Sequence, residues 1–444
     1  MILFWVICAL LIFVALLFVL PPALQRSADS NAESEDERKQ ANIAVYRDQL
    51  SELETDLRNG LVGQEQYAED PPMPAYVLPN PLQAADGTEV KTEEQWANGR
   101  RGEILELFRT NVYGRVPATP YEKSFEVVKE DAHAMNGAAT LRKVSIRIAS
   151  GSQSLAINVN LFIPNKIAHP APAFVLICNR GPENIDASRQ AKSDFWPAEE
   201  GIARGYAMAA FLNSDVDPDR HDGFRNGIHG LLDDGPRPAD AWGTIAAWAW
   251  GASRVLDYLE TVPQINARQV AVIGHSRGGK TALWAAAEDQ RFAMAVSNDS
   301  GCGGASLSRR RFAGREQVAR IVSSFPHWFC SNFTNFANRE DELPIDQHEL
   351  IALIAPRAVA VGSAAEDRWA EPRGEFLSVV HAAPVFALFG QKALGTTRMP
   401  PIGRAIHSDV AHYHLRGGTH NLTLEDWQHY WDFADRVFDR TPRR

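Results

Sequence analysis

The chain has 444 residues, a formal net charge of −10, 45% hydrophobic residues and 23% charged residues. This composition excludes a disordered chain, a collagen-like chain and a polytopic membrane protein. The acidic total argues against a general nucleic-acid binder, because such proteins carry a basic face. Most of the acidity lies between Arg26 and Asp70, a stretch with 12 acidic and five basic side chains. The net charge of the whole sequence therefore says little about the rest of the chain.

The chain begins with an unbroken apolar run. Residues 1–20 (MILFWVICALLIFVALLFVL) contain no charged side chain, and twenty apolar residues in a helix can cross a hydrocarbon core. A cleaved signal peptide would need a basic start and a small-residue cleavage site, and neither is clear. We predict a transmembrane anchor over 1–22, with an uncleaved signal as the other interpretation.

Residues 23–75 have a different character. The stretch from Ser27 to Gln40 is polar and acidic, which is typical of a linker. A short amphipathic helix is predicted beyond it, because apolar residues recur there at alternating spacings of three and four. These residues are Ile43, Tyr46, Leu50, Leu53 and Leu57. Two interpretations stay open: the helix packs on its own domain, or residues 43–58 pair with a helix of a partner.

The same N-terminal region resembles a known family. LLFVLPPAL, followed by NIAVYRDQLSELETDLRNGLVGQEQY, is similar to the start of the CcmI/CycH proteins of cytochrome c biogenesis. The resemblance covers about residues 1–70 and implies an anchor and a helical arm. Neither a second membrane span nor helical repeats follow in the sequence, so the biogenesis function is not implied.

A run of prolines ends this region, since proline does not propagate a helix: Pro71, Pro72, Pro74, Pro79 and Pro81. We predict one catalytic domain over 76–444. The predicted strands are 140–149, 155–164, 171–179, 207–213, 269–274, 293–298 and 357–363. Predicted helices at 240–260 and 278–288 alternate with them. This alternation predicts an α/β fold with a mostly parallel sheet covered by helices on both faces.

The sequence from Gly274 to Gly278 reads Gly-His-Ser-Arg-Gly. An apolar strand leads into it and a helix of small residues leads out. This context predicts the nucleophile elbow of an α/β-hydrolase three-layer sandwich, with Ser276 exposed at the turn. The backbone N–H of Arg277 would then donate to an oxyanion. No dinucleotide, Walker A or zinc-protease motif is present in the sequence, so neither a cofactor nor a metal is expected.

A serine nucleophile needs a base and an acid that orients it, and in this fold they follow the serine in the order acid, then histidine. His420 is the preferred base, because it lies in the loop Gly-Gly-Thr-His ahead of a final helix predicted over 424–438. Asp367, after the strand 357–363, and Asp299, after the strand 293–298, compete as the acid. The residues alone leave that choice open.

Five segments of the chain resemble the glucuronoyl esterases, in particular their bacterial branch. They are GHSRGGKTALWAAAEDQRFAMAVSNDSGCGGASLSRRRF, DPDRHDGFRNGIHGL, FPHWFCSNF, EDRWAEPRGEF and HLRGGTHNLTLEDW. The resemblance runs from about Tyr76 to the C-terminus. These serine esterases cleave the ester between 4-O-methyl-glucuronic acid on xylan and an alcohol of lignin. The expected partner is therefore a glucuronate ester of xylan or a lignin–carbohydrate fragment.

The resemblance also implies roles for single residues. Ser276 would be the nucleophile and His420 the base, with Asp367 ranked first as the acid and Asp299 as its partner or substitute. Arg277 would complete the oxyanion hole. The sugar would be bound by the Lys280 ammonium, the Glu316 carboxylate and the Trp369 ring. One disulfide, Cys302–Cys330, is conceivable from the positions of the cysteines.

Two alternatives to a glucuronoyl esterase are a carbohydrate acetyl esterase and a membrane-tethered interaction protein with an idle hydrolase domain. The chain is predicted to be membrane-anchored, with the catalytic domain in the periplasm because the substrate derives from a polymer. Basic residues follow the anchor and favour the cytoplasm for that side, so the orientation stays open.

Overall fold

The structure, a computed structural model, describes residues 73–438. The predicted anchor over 1–22, the helix over 43–58 and nearly all of the segment 23–75 lie outside the described residues. The described strands are β1 (Glu122–His133), β2 (Ala139–Ser150), β3 (Gln153–Pro164), β4 (Ala171–Cys178), β5 (Ala207–Leu212), β6 (Ile265–His275), β7 (Met294–Asn298), β8 (Ala358–Ala364), β9 (Arg404–His407) and β10 (Ala411–Arg416). They form one sheet in the order β1-β2-β3-β5-β4-β6-β7-β8-β10-β9.

The centre of the sheet is parallel. Strands β5, β4, β6, β7, β8 and β10 run in the same direction. The antiparallel strands β1, β2 and β3 extend one side, and β9 pairs antiparallel with β10 on the other. The carboxyl ends of the parallel strands meet at one edge, which is where α/β proteins place their ligands. The predicted mostly parallel sheet is confirmed.

The described helices of six or more residues are α1 (Arg101–Phe108), α2 (Ala198–Ala203), α3 (Gly227–Leu232), α4 (Thr244–Leu259), α5 (Arg277–Glu288), α6 (Val318–Ser324), α7 (Gln347–Ala352), α8 (Pro372–His381), α9 (Ala383–Leu388) and α10 (Leu424–Val437). Shorter or irregular helical turns are Glu93–Gln95, Trp96–Arg100, Arg109–Tyr113, Ala134–Gly137, Pro182–Ile185, Asn213–Val216, Ser331–Phe336 and Glu340–Glu342. A capping box between Thr423 and Asp426 begins α10, since both side chains satisfy backbone N–H groups at the helix start.

The sheet has a hydrophobic core on each face. Neighbouring side chains on β4 point to opposite faces, as a strand requires: Val175 joins one buried cluster and Phe174 the other. Helices α4, α5, α7 and α8 cover the first face, and α2 and α10 cover the second. This arrangement is the predicted three-layer sandwich.

The structure contains all seven predicted strands, with ends shifted by a few residues. The later strands are short apolar runs because both faces of the central sheet are covered, whereas β2 alternates between buried and more exposed residues. The sequence missed β1, because ten of its twelve residues are exposed and no apolar alternation marks it. Within the residues that the structure describes, no helix is both long enough and apolar enough to span a membrane.

Candidate active site

The turn between β6 and α5 holds Ser276. This residue has a φ of 57°, a positive value that residues other than glycine rarely adopt. A side chain on Gly274 would lie 2.1 Å from the carbonyl oxygen of Gly278, so the tight turn requires glycine there. Ser276 is held by its backbone N–H, which donates to the Asn298 carbonyl at 2.8 Å. The predicted strand–turn–helix elbow is therefore present, at the carboxyl edge of the sheet.

His420 and Asp367 lie on the loops that follow β10 and β8, two neighbouring parallel strands. The His420 Nδ1 donates to the Asp367 Oδ2 at 2.5 Å. The Asp367 side chain is buried, whereas that of His420 is 30% exposed. A buried carboxylate at Nδ1 fixes the tautomer that leaves Nε2 as a proton acceptor. The pair therefore has the geometry of an oriented general base.

The base lies beside the elbow. The His420 ring contacts the ring of His275, the residue before Ser276, with centroids 4.3 Å apart. Among residues 73–438 the Ser276 hydroxyl makes no hydrogen bond. A bond from this hydroxyl to Nε2 would form when substrate binds, because catalytic hydrogen bonds are often loose in free enzymes.

Asp299 is the second carboxylate at this edge. Its backbone has a φ of 45°, and its Oδ1 accepts from the Ala364 N–H at 2.6 Å. The Oδ2 accepts from Arg416 at 3.3 Å. Burial, followed by the charge of Asp367, raises the pKa of Asp299 well above its ordinary value, and Arg416 opposes that rise. Asp299 is thus next to the His420–Asp367 pair without being bonded to His420.

Three of these side chains also meet the distance requirement for a metal site. Single ligand atoms of Asp299, Asp367 and His420 lie within 4.8 Å of one another, the one such group among the described residues. However, the His420 Nδ1 already donates to Asp367, and the Asp299 oxygens accept from a backbone N–H and a guanidinium. This donor set fits a catalytic triad better than a metal site.

Arg277 is the first residue of α5, and its side chain is buried. Its Nε lies 3.0 Å from the Asp219 Oδ2, and its guanidinium carbon lies 5.1 Å from the centroid of the Trp328 ring. The backbone N–H at this helix start and the guanidinium beside it are both suited to a developing oxyanion. The predicted oxyanion residue is therefore held at the elbow.

Asp219 holds Arg277 in this position. Its Oδ1 accepts from the Nε1 of Trp328 at 2.7 Å and lies 3.0 Å from the Nε2 of His327. Burial favours the neutral acid, but the charge of Arg277 and the contacts of His327 and Trp328 lower the pKa of Asp219 to about 2. Asp219 is therefore ionised at neutral pH and keeps the guanidinium in one place.

Lys280 and Glu316 form a buried ion pair under the loop that follows β7. The Lys280 Nζ donates to the Glu316 Oε2 at 2.8 Å, and to the carbonyls of Ser300 and Cys302 at 2.6 Å each. These three acceptors use all three donors of an ammonium. The same Oε2 accepts from the Cys302 N–H at 3.0 Å. The pair supports the loop, and a sugar hydroxyl would have to replace one Lys280 bond.

Trp369 lies partly exposed on the loop that carries Asp367. Its carbonyl accepts from the Glu316 N–H at 2.9 Å. The structure thus brings the predicted sugar-binding residues Glu316 and Trp369 together. The partly exposed ring has an apolar surface on which a sugar could pack.

Comparison with known proteins gives the family. Residues 146–390 match the family described as glucuronyl esterase of fungi. A carbohydrate esterase of an unknown prokaryotic organism is 41% identical over 394 residues, covering 82% of this chain and 90% of the relative. The chain belongs to the glucuronoyl esterase family. It is a carboxylic ester hydrolase.

Two further similarities support this assignment. A solved glucuronoyl esterase from Solibacter usitatus has 36% identity and a TM-score of 0.77, with 82% of this chain and 99% of that chain covered. A 4-O-methyl-glucuronoyl methylesterase 1 of Phanerochaete chrysosporium is 29% identical, with 70% of this chain and 62% of the relative covered. The resemblance of the catalytic domain to the glucuronoyl esterases is thereby confirmed.

The sequence missed several buried or partly buried residues of this glucuronoyl esterase. Glu375 is one: its Oε1 accepts from the N–H groups of Ser300 and Gly301 at 2.7 and 2.9 Å, and its Oε2 accepts from the Ser363 hydroxyl at 2.5 Å. Burial raises the pKa of Glu375 to about 7. The others are Asp219, His327, Trp328 and Arg416, all of which lie in segments that resemble the family. Their position in segments that resemble the family is the signal by which the sequence could have indicated them.

None of the three cysteines within residues 73–438 is paired. Cys178, Cys302 and Cys330 are buried free thiols. The conceivable disulfide Cys302–Cys330 is therefore absent. Cys302 lies against the Lys280–Glu316 pair, whereas the Cys330 thiol donates to the Thr110 carbonyl at 3.6 Å. Burial raises the pKa of Cys302 to about 12 and that of Cys330 to about 11.

Proposed function

We propose that the enzyme hydrolyses esters of 4-O-methyl-glucuronic acid through an acyl-enzyme formed on Ser276. The observation that carries this proposal is the His420–Asp367 pair, joined at 2.5 Å beside the elbow, in a chain of the glucuronoyl esterase family. The names of the related proteins support the substrate class, since they are esterases and methylesterases of glucuronate.

In the first half-reaction, the Ser276 Oγ attacks the carbonyl carbon of the uronoyl ester. The Oγ–H bond breaks and the proton passes to the Nε2 of His420, whose imidazolium is stabilised by Asp367. The tetrahedral oxyanion accepts from the Arg277 N–H and faces its guanidinium. Collapse breaks the bond to the alcohol oxygen, which leaves with the proton from Nε2.

In the second half-reaction, water enters where the alcohol was. His420 takes a proton from the water as the oxygen attacks the acyl carbon, and the second tetrahedral intermediate collapses. The proton returns to the Ser276 Oγ and glucuronate leaves. Two successive tetrahedral steps on one serine predict ping-pong kinetics.

We propose that Glu316 and Trp369 bind the sugar ring, with Lys280 as their support. Among the described residues, both hydrogen bonds of the Glu316 carboxylate fall on Oε2, which leaves Oε1 to accept from a sugar hydroxyl. A partly exposed indole packs against the apolar face of a ring. Polar groups placed in this way discriminate against substrates that lack the matching hydroxyls.

The substrate class is tested by comparing esters. We expect kcat/KM for the methyl ester of 4-O-methyl-glucuronic acid to exceed that for acetylated xylan by about 100-fold. Trp369→Ala is expected to raise KM for the glucuronate ester about fivefold with a small change in kcat, because a stacking contact contributes about 1 kcal/mol. Trp250→Ala, in helix α4 against Tyr121, is the matched control. Equal or faster release of acetate would instead favour a carbohydrate acetyl esterase.

We also propose that residues 1–22 anchor the enzyme in a membrane and that the catalytic domain lies in the periplasm. The apolar run of the sequence and the polymer origin of the substrate support this location, while the basic residues after the run favour the opposite side. A helix partner for 43–58 stays a prediction. A C-terminal alkaline phosphatase fusion is expected to be active in cells. Activity of a cytoplasmic reporter at the same position would contradict this topology.

A further inference from the structure

Arg416 is the last residue of β10 and lies four positions before His420. It is 3% exposed and has no predicted role. Its guanidinium donates to three backbone carbonyls of the loop that follows: Gly417 at 2.8 Å, Thr419 at 2.9 Å, and Asn421. The loop that carries His420 is therefore wrapped around this side chain.

The same guanidinium joins two carboxylates from other elements. Its Nε donates to the Asp426 Oδ2 at 2.8 Å, and Asp426 caps the start of α10 with Thr423. Its Nη2 donates to the Asp299 Oδ2 at 3.3 Å. Arg416 thus connects the end of β7, the His420 loop and the start of α10. Only a planar group with five donors reaches this many acceptors.

The backbone of Arg416 extends this connection to the loop of the acid. Its carbonyl accepts from the Ala365 N–H at 2.9 Å, and the carbonyl of Gly418 accepts from the Glu366 N–H at 3.0 Å. The loops that carry Asp367 and His420 are therefore joined just before the two side chains meet.

The charge of Arg416 matters as well as its shape. Asp299 and Asp367 are buried close together, and two buried like charges repel each other strongly. Arg416 is a cation bonded to Asp299, and the charges of Asp426 and Asp299 stabilise its protonated form against burial. Titratable groups facing this cluster come from β6, β10, α8 and α10: His275, His414, Glu375, Asp426 and Tyr430.

We propose that Arg416 is a positioning residue for catalysis: its guanidinium fixes the His420 loop, and its charge lies against the Asp299 carboxylate beside the His420–Asp367 pair. This inference rests on the proposed function, because it assigns Arg416 to the base of that mechanism. Arg416 does not touch substrate, so its loss is expected to appear in kcat and in the pH profile and not in KM.

Arg416→Lys and Arg416→Met separate shape from charge. Lysine keeps the charge but lacks the planar guanidinium and its five N–H donors. We expect kcat to fall about 100-fold, since a small misplacement of a catalytic group has an effect of this size. KM should stay within about twofold of the parent value. Methionine also removes the charge. We expect a larger loss, and the acid limb of kcat/KM moves to higher pH because the cation no longer opposes proton uptake by Asp299.

A fluorophosphonate that labels the reactive serine separates folding from positioning. If Arg416 positions His420, the variants should be labelled more slowly than the parent enzyme but to the same final fraction. The final labelled fraction counts the folded active sites, and kcat is therefore expressed per labelled site. Arg101→Lys is the matched control: Arg101 is 8% exposed and donates to the carbonyls of Leu353 and Ala287, near the far end of α5. This control is expected to lower Tm but to leave kcat per labelled site unchanged.

The outcomes separate the inference from the proposed function. A Ser276→Ala enzyme that keeps its activity overturns the proposed function. If Ser276→Ala is inactive while Arg416→Lys has the kcat, labelling rate and pH profile of the parent, the inference on Arg416 is overturned. Should Arg416→Met not fold, Arg416→Lys alone decides, since it keeps the charge and the length of the side chain.

Discussion

Replacing Ser276 by alanine is expected to lower kcat on the methyl ester of 4-O-methyl-glucuronic acid by a factor on the order of 10⁶. Without the hydroxyl no acyl-enzyme forms, and the remaining rate comes from the oxyanion donors and from substrate binding. KM is expected to change little, because the hydroxyl does not bind the sugar. The measurement is the initial rate with purified enzyme, together with the loss of the mass increase caused by a fluorophosphonate.

Ser152→Ala is a suitable control for this experiment. Ser152 is exposed in the turn between β2 and β3, at the side of the sheet away from His420, and the change should leave both rate and labelling as they were. A Ser276→Ala enzyme that still turns over at a tenth of the parent rate would mean that another group performs the attack.

The second large effect is expected at the acid. Asp367→Asn removes the carboxylate that accepts from the His420 Nδ1 at 2.5 Å, and an amide there stabilises neither the correct tautomer nor the imidazolium. A fall in kcat of about 10⁴-fold is expected. The loss should be similar at every substrate concentration above KM, because sugar binding is unchanged.

Asp299→Asn is the matched control for the acid, because the two carboxylates lie in one cluster. The amide oxygen of asparagine still accepts from the Ala364 N–H that now bonds to Asp299 at 2.6 Å. We expect its kcat to be at least about 100-fold higher than that of Asp367→Asn. Equal losses would show that both acids serve the base, and a larger loss in Asp299→Asn would exchange their roles. Thermal unfolding of both variants checks that each is folded.

The sequence was informative wherever function depends on local geometry. The elbow around Ser276 is a short run of small residues after an apolar strand, and the parallel order of strands places the loops of Asp367 and His420 side by side. The triad residues could therefore be proposed from motif and order alone. The family resemblance ranks Asp367 first as the acid, but only the structure shows that it pairs with His420, since the pairing depends on how two loops bend.

The remaining residues depend on contacts that no local pattern reveals. Asp219 meets Arg277 across 58 positions of sequence, and Arg416 meets Asp299 across 117. In the sequence Lys280 resembles a free cation near the substrate, yet the carbonyls of the following loop occupy its donors. Buried polar residues of this kind look like ordinary surface residues until the chain is folded.

The positive φ values of Ser276 and Asp299 restrict how the enzyme can be stabilised. Non-glycine residues in such conformations each cost on the order of 1–3 kcal/mol of stability. Glycine at either position would relieve this cost but would remove the hydroxyl or the carboxylate, so a screen for heat resistance alone would favour inactive variants. Directed evolution should therefore combine thermal challenge with an ester assay. Changes are safer on the outer strand β1, where Val127 and Val128 are 45% and 61% exposed.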